Sequence, residues 1–99
     1  MPLQSRQGDL LFIKQDTRPV IALTARQGNS IVAGEATGHA HRLQAGTILA
    51  APDGALYLDV TRVTQVVHEE HGPITLDPGL WLVVRQREYA PEAIRRVLD

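Results

Sequence analysis

The chain has 99 residues and no cysteine, and ten basic and eleven acidic residues give a formal net charge of −1. This length predicts a single domain over residues 1–99. The lack of cysteine excludes disulfides, iron–sulfur clusters and thiol catalysis. The balanced charge makes nucleic acid an unexpected partner, because such binding usually depends on excess positive charge.

The N-terminal segment Met1–Gln15 contains no apolar run long enough for a signal peptide or a membrane span. We therefore expect a cytoplasmic protein with no membrane partner. Residues 1–7 are predicted to be flexible, since the first strand pattern begins at Leu10.

Turn-forming residues recur at short intervals, and the runs between them are rich in Val, Ile, Leu and Ala. This spacing is typical of an all-β protein, either a small barrel or a two-sheet sandwich. The predicted strands, in chain order, are Leu10–Lys14, Val20–Ala25, Ser30–Ala33, His39–Leu43, Thr47–Ala51, Ala55–Val60, Arg62–His68, Ile74–Leu76 and Leu80–Tyr89.

Two turn sequences each predict a β-hairpin. Pro52-Asp53-Gly54 predicts one over Thr47–Val60, and Asp77-Pro78-Gly79 predicts another over Pro73–Tyr89. Both turns combine the fixed φ of proline with the conformational freedom of glycine.

The last predicted strand places Trp81, Val83, Arg85, Arg87 and Tyr89 on one face. Its polar end is a candidate surface for an anion or a nucleic acid, with Tyr89 as a stacking platform. The alternatives are a salt-bridged sheet rim and a subunit interface.

Residues 90–99 are predicted to form a short C-terminal helix that packs on the barrel or on a partner. Pro91 suits the first helical turn, and Glu92 favours the positive end of the helix dipole. The apolar residues with helical spacing are Ala93, Ile94, Val97 and Leu98.

The four histidines occur as two close pairs, His39 with His41 and His68 with His71. Because His39 and His41 are two residues apart on a predicted strand, both rings project from one face. Such imidazole pairs bind zinc, iron, nickel, manganese or copper. If the two pairs lie on neighbouring strands, all four histidines can contribute to a site for one divalent transition metal.

Glu69 and Glu70 lie between the second pair of histidines and are the candidate catalytic residues. They could act as extra ligands, as acceptors for ring N–H groups or as a general base; Glu35 is a weaker candidate. The alternative interpretation is a solvated connection between strands. The zincin motif is excluded, because His68 and His71 are only three residues apart.

Gly34 and Gly38 precede the pair His39 and His41, and a later histidine follows on another predicted strand. This arrangement resembles the metal site of cupins, small β-barrels in which histidines and a glutamate hold one divalent metal. The resemblance implies a cupin-like barrel, with His68 or His71 as the later ligand. It also implies a metalloenzyme, although it does not identify a substrate.

The chain departs from the cupin pattern at two points. Arg42–Ala45 contains no glutamate after the histidine pair, and the Pro-x-Gly that cupins carry before the last histidine is missing. Residues 34–43, 68–75 and 85–89 also resemble short uncharacterised bacterial and phage proteins.

The leading hypothesis is a small soluble metal-binding β-barrel. Three histidine ligands would leave one position open for a small-molecule ligand, whereas four would make the metal structural. An open site could support hydrolysis or bind an oxygenated substrate. The alternatives are a binding module that uses the face of Arg85, Arg87 and Tyr89, and an assembly module that forms a symmetric homodimer.

Overall fold

A computed structural model describes residues 3–33 and 39–86. Within these residues the chain forms ten β-strands. They are β1 (Gln4–Gln7), β2 (Leu10–Lys14), β3 (Thr24–Arg26), β4 (Ser30–Ala33), β5 (Ala40–Leu43), β6 (Thr47–Ala50), β7 (Leu56–Val60), β8 (Thr64–Val67), β9 (Ile74–Leu76) and β10 (Gly79–Arg85).

The strands form two antiparallel sheets, one of six strands and one of four. The strand order is β1-β2-β10-β7-β6-β3 in the larger sheet and β4-β5-β8-β9 in the smaller. The all-β prediction is therefore confirmed. Of the two predicted architectures, a small barrel and a two-sheet sandwich, the structure has two sheets.

The hydrophobic core consists of side chains from both sheets. In β2 the fully buried Leu10 and Phe12 alternate with the less buried Leu11 and Ile13, as expected for a strand with one face on the core. Burial of such side chains contributes about 1.5–3 kcal/mol each. The core residues are Leu10, Phe12, Ile31, Leu43, Ile48, Leu58, Val60, Val66, Leu76 and Trp81.

The opposite face of the six-stranded sheet carries a second apolar cluster around Leu49, Ala51 and Tyr57. In β10, Trp81 belongs to the main core and Leu82 packs against the second cluster. The first residues of β10 are therefore apolar on both faces of the sheet.

The hairpin at Pro52-Asp53-Gly54 is confirmed. It joins β6 to β7, with Thr47 paired to Asp59 and Ala50 paired to Leu56. Gly54 has a φ of 92°, which a residue with a Cβ rarely adopts.

The second predicted hairpin, over Pro73–Tyr89, is wrong. β9 pairs with β8 in the smaller sheet, whereas β10 pairs with β2 and β7 in the larger one. Asp77-Pro78 is therefore a crossing between sheets. The physical reason is that β10 has two apolar faces, so the centre of the six-stranded sheet buries it better than pairing with the short β9 would.

Two other segments differ from the predicted strands. Gln4–Gln7 lie within the segment predicted to be flexible, but they form β1, which pairs with β2 around a turn at Gly8 and Asp9. The strand predicted at Val20–Ala25 is reduced to Thr24–Arg26, and Val20 is fully exposed.

The predicted C-terminal helix lies outside the described residues, as do Arg87 and Tyr89. Nowhere in residues 3–33 and 39–86 does the chain form a helix long and apolar enough to cross a membrane.

Hydrogen bonds from Gln7 connect the two sheets at one edge of the sandwich. Gln7 is the last residue of β1, and its buried side-chain amide donates to the carbonyls of Val66 and Gly72, each at 2.9 Å. These contacts hold the β1–β2 turn against the loop between β8 and β9. The four histidines lie at this edge.

Candidate metal centre

All four histidine rings come together beside the β1–β2 turn. The ring centroid of His68 lies 5.6 Å from that of His39, 4.4 Å from that of His41 and 4.6 Å from that of His71. The His41 and His71 centroids are 6.3 Å apart. The predicted convergence of the two pairs is thus present in the structure, because β5 and β8 are paired neighbours.

His41 is the most buried histidine and has a defined tautomer. It lies in β5 and is 5% exposed, and its Nδ1 is 2.8 Å from Oε1 of Gln7. Because the Gln7 amide nitrogen donates to two carbonyls, its oxygen faces the ring and accepts. Nδ1 of His41 therefore carries a proton, and Nε2 of the neutral ring has the lone pair.

Burial is the main reason that the pKa of His41 lies below its ordinary value of 6.5. The neighbouring His68 lowers this pKa further, whereas Asp9 acts in the opposite direction. His41 is therefore neutral at pH 7, which is the form in which imidazole binds metal ions.

Asp9 lies in the β1–β2 turn and faces His41. Its Oδ1 is 3.5 Å from Nε2 of His41, and its Oδ2 is 3.3 Å from Nε of Arg85. Burial raises the pKa of Asp9, but the hydrogen bond from Arg85 contributes to a net shift below the ordinary value. Asp9 is therefore a carboxylate at neutral pH.

His68 has the opposite tautomer from His41. Its Nδ1 accepts hydrogen bonds from the backbone N–H groups of Glu70 at 3.0 Å and His71 at 3.3 Å. In the neutral ring the proton is therefore on Nε2. His68 can offer Nε2 to a metal only if its ring turns away from these two N–H groups.

The ring of His71 packs directly on the β1–β2 turn. Gly8 has a φ of 59°, and a Cβ added there would lie 2.6 Å from Nε2 of His71. Only glycine therefore allows both the turn and the close approach of the ring.

His39 lies immediately before β5, and its Nδ1 is 2.5 Å from Oε1 of Glu70. A carboxylate this close favours a proton on Nδ1, so that Nε2 has the lone pair. Carboxylate–histidine pairs of this kind orient metal ligands in many proteins.

Glu69 is engaged in contacts to β5. It accepts hydrogen bonds from the backbone N–H of Ala40 at 2.9 Å and from the guanidinium of Arg42. The Arg42 hydrogen bond, followed by that from Ala40, lowers the pKa of Glu69 to about 2. At pH 7 this carboxylate is a very weak base, and its contacts hold the β8–β9 loop beside β5.

A family model described as "Domain of unknown function (DUF8820)" matches residues 6–86, most of the chain. The chain belongs to this family. The matched span contains the whole histidine cluster together with Gln7, Asp9 and Arg85. Comparison with curated proteins and with solved structures gave no match.

In the described parts of this DUF8820 chain, no group of three or more His, Asp or Glu side chains is arranged so that it could hold a metal ion. The rings are close, but their donor atoms point in different directions. Nδ1 of His68 faces backbone N–H groups, whereas Nε2 of His41 faces Asp9.

The other predicted site residues divide into two groups. Arg85 lies at the end of β10 and forms an ion pair with Asp9. Arg87, Tyr89 and Glu35 lie outside the described residues, so the proposed Arg85, Arg87 and Tyr89 face is described only at Arg85.

Sequence reasoning did not identify Gln7 or Asp9 as part of this site. Gly8-Asp9 is recognisable as a turn, but nothing in its sequence indicates which loop of the other sheet it meets. A polar residue such as Gln7 gives no signal for burial, because its burial depends on partners distant in the sequence.

Proposed function

We propose that this protein is a small metal-binding β-sandwich in which His39, His41, His68 and His71 supply the ligands for one divalent transition metal. The observation that carries the proposal is the clustering of all four imidazoles at one edge of the sandwich. Imidazole is a preferred ligand for zinc, copper, iron and nickel.

The ring spacing supports this proposal. Imidazoles bound to one metal through nitrogens about 2.1 Å from it have ring centroids about 5 Å apart. The distances between His68 and its three neighbours range from 4.4 to 5.6 Å. His68 is therefore close enough to each of the other three rings to share an ion with it, whereas His41 and His71, whose centroids are 6.3 Å apart, must approach each other to share one.

The orientation of the His41 ring also supports it. Nδ1 of His41 donates to Gln7, so in the neutral ring Nε2 has the lone pair with which imidazole binds a metal. Nδ1 of His39 contacts the Glu70 carboxylate. Metal binding in this proposal requires His68 to rotate, which breaks its hydrogen bonds with the backbone of Glu70 and His71.

The finer form of the proposal is a cupin-like metalloenzyme. It requires that only three protein ligands bind, so that a small-molecule ligand can occupy an open position. Glu70 would then orient His39 as an outer-shell carboxylate. The cytoplasmic location and the homodimer stay predictions from the sequence.

The test is the metal content of tag-free protein, measured by inductively coupled plasma mass spectrometry. We expect about one metal per chain in the wild type and none in a His39→Ala/His41→Ala variant. Absence of metal in the wild type, even after reconstitution with zinc, iron, nickel, manganese and copper, would contradict the proposal.

The matched control is a Gln44→Ala/Gln65→Ala variant, which changes two exposed residues beside β5 and in β8. It should retain the metal content of the wild type. Circular dichroism of each variant should show a folded β protein, so that loss of metal is attributable to loss of ligands.

A further inference from the structure

The contact between Asp9 and His41 is unusual for an acid–imidazole pair, because neither of the two facing atoms carries a proton when the ring is neutral. Nε2 of His41 has a lone pair, because Gln7 fixes the ring proton on Nδ1. Oδ1 of Asp9 faces this nitrogen from the other sheet at 3.5 Å. When the His41 ring is neutral, two acceptor atoms thus face each other, one on the buried His41 and one on the partly exposed Asp9.

The distance between these two acceptors fits a shared cation better than a direct hydrogen bond. A charge-assisted N–H···O bond is about 2.7–2.9 Å long. Two donor atoms that each lie about 2.1 Å from a tetrahedral metal are about 3.4 Å apart. The observed separation of 3.5 Å matches the second value.

The two oxygens of Asp9 have different partners. Oδ2 accepts from Nε of Arg85, and this contact fixes the orientation of the carboxylate. Oδ1 is directed toward His41. The carboxylate is thus arranged to bind a cation through a single oxygen, with Arg85 as its outer-shell partner.

We propose that Asp9 is a direct carboxylate ligand of the cation and is paired with Nε2 of His41, an inference that rests on the proposed function. In a tetrahedral site Asp9 then takes the place of one of the four histidines. The ligand set then includes residues from both sheets, because His41 belongs to β5 and Asp9 follows β1. A bound cation therefore joins the two sheets at this edge.

This ligand set restricts the metals that the site takes. A carboxylate together with neutral imidazoles suits divalent ions such as Zn²⁺, Fe²⁺, Co²⁺ and Ni²⁺, whereas a soft ion such as Cu⁺ prefers sulfur ligands. The site should therefore bind Zn²⁺ and Co²⁺ in preference to Cu⁺.

The experiment measures Zn²⁺ affinity by competition with a chromophoric chelator for the wild type, Asp9→Asn and Arg85→Gln. Loss of an outer-shell partner alone lowers metal affinity about 10- to 100-fold, so Asp9→Asn should lower Zn²⁺ affinity at least as much. Arg85→Gln retains the carboxylate and removes only its outer-shell partner, so its Zn²⁺ affinity should fall about 10- to 100-fold, and by less than that of Asp9→Asn. Asp16→Asn, at an exposed position, is the matched control for charge.

The outcomes separate this inference from the proposed function. If Asp9→Asn binds Zn²⁺ as tightly as the wild type, Asp9 is not a ligand, although the histidine site stands. If the wild type itself binds no Zn²⁺, both proposals fail. A measurement on the wild type covers the case in which Asp9→Asn does not fold: Zn²⁺ should shift the carboxylate ¹³C NMR resonance of Asp9, and an unchanged resonance would overturn the inference.

Discussion

The two ends of β2 each contain an acidic side chain beside a basic one, but the two contacts differ in kind. At the C-terminal end, Nζ of Lys14 donates to Oδ2 of Asp77 at 2.7 Å. At the N-terminal end, Asp9 lies 3.5 Å from a ring nitrogen of His41 that has no proton to donate when the ring is neutral. The first contact pairs a donor with an acceptor, whereas the second pairs two acceptors.

The difference between these two contacts distinguishes an end of β2 with a structural ion pair from the end at which a cation is proposed to bind. The Lys14 end is also closed by Trp81, whose Nε1 donates to the carbonyl of Asp77 at 3.0 Å. Its polar groups thus have partners within the protein. At the Asp9 end, Oδ2 of Asp9 pairs with Arg85, and the proposed cation would lie between Oδ1 of Asp9 and Nε2 of His41. We expect substitutions to separate these two roles.

The largest loss of stability should come from removing the Trp81 side chain, which donates to the carbonyl of Asp77 beside Lys14. Trp81 is buried in the main core, so Trp81→Ala should lower the free energy of unfolding by about 3–5 kcal/mol. Urea denaturation followed by circular dichroism measures this change. Val63→Ala, at an exposed position, should change stability by less than about 0.5 kcal/mol; equal effects would contradict the assigned core.

The next effect should appear at the Asp9 end when metal is added. A ligand at a hundredfold excess over its Kd stabilises the folded state by about 2.7 kcal/mol. Wild-type protein should gain this amount from Zn²⁺ and lose it again with EDTA, as measured by urea denaturation. The His39→Ala/His41→Ala variant should show no gain, and an equal gain there would place Zn²⁺ binding elsewhere.

A smaller effect should follow from Gly8→Ala, which tests the contact between the β1–β2 turn and His71. A left-handed backbone costs about 1–2 kcal/mol in a residue with a Cβ, and Gly8 has a φ of 59°. The added Cβ would also displace the His71 ring, so Zn²⁺ affinity should fall together with stability.

Gly28→Ala is the matched control for Gly8→Ala. Gly28 also has a positive φ, of 86°, but an added Cβ there meets nothing within 4 Å. It should therefore show the backbone cost alone, with Zn²⁺ affinity unchanged. If both variants lose the same stability and neither loses Zn²⁺ affinity, the contact between the His71 ring and Gly8 does not contribute to Zn²⁺ binding.

The smallest effect concerns the pH dependence of the Lys14 end. The hydrogen bond from Lys14 lowers the pKa of Asp77 below its ordinary value of 3.8. Because the folded-state pKa is the lower one, the contribution of Asp77 is present above pH 3.8 and is lost as the pH falls through the folded-state pKa.

Asp77→Asn removes this contribution. The difference in thermal midpoint between the wild type and Asp77→Asn should therefore be largest at pH 7 and should shrink toward pH 3. A difference that stays constant over this range would show that the ionised form of Asp77 does not stabilise the fold.

The sequence allows the β6–β7 hairpin, the faces of β10 and the proximity of the two histidine pairs to be predicted, because all three depend on local periodicity and turn residues. The position of β10 is different. Asp77-Pro78-Gly79 suits a tight turn and a crossing between sheets equally well, and the choice depends on which sheet buries Trp81 and Leu82 better. That comparison involves strands distant in the sequence.

The candidate site shows the same limit. His39 and His41 are recognisable by their spacing, but the proton positions on the rings depend on Gln7 and on backbone N–H groups. Asp9 resembles any other turn residue in the sequence. The proximity of Asp9 to His41 thus becomes visible only when the two sheets are seen together.

The central position of β10 has a consequence for how the chain folds. β10 is the last described strand, yet it lies between β2 and β7 and connects the β1–β2 pair to the rest of the larger sheet. During synthesis that sheet cannot be completed until residues 79–85 have left the ribosome, and pairing β2 with β10 closes a long loop. We therefore expect slow folding, and a nascent chain that stops before β10 would leave two unpaired strand edges exposed to aggregation.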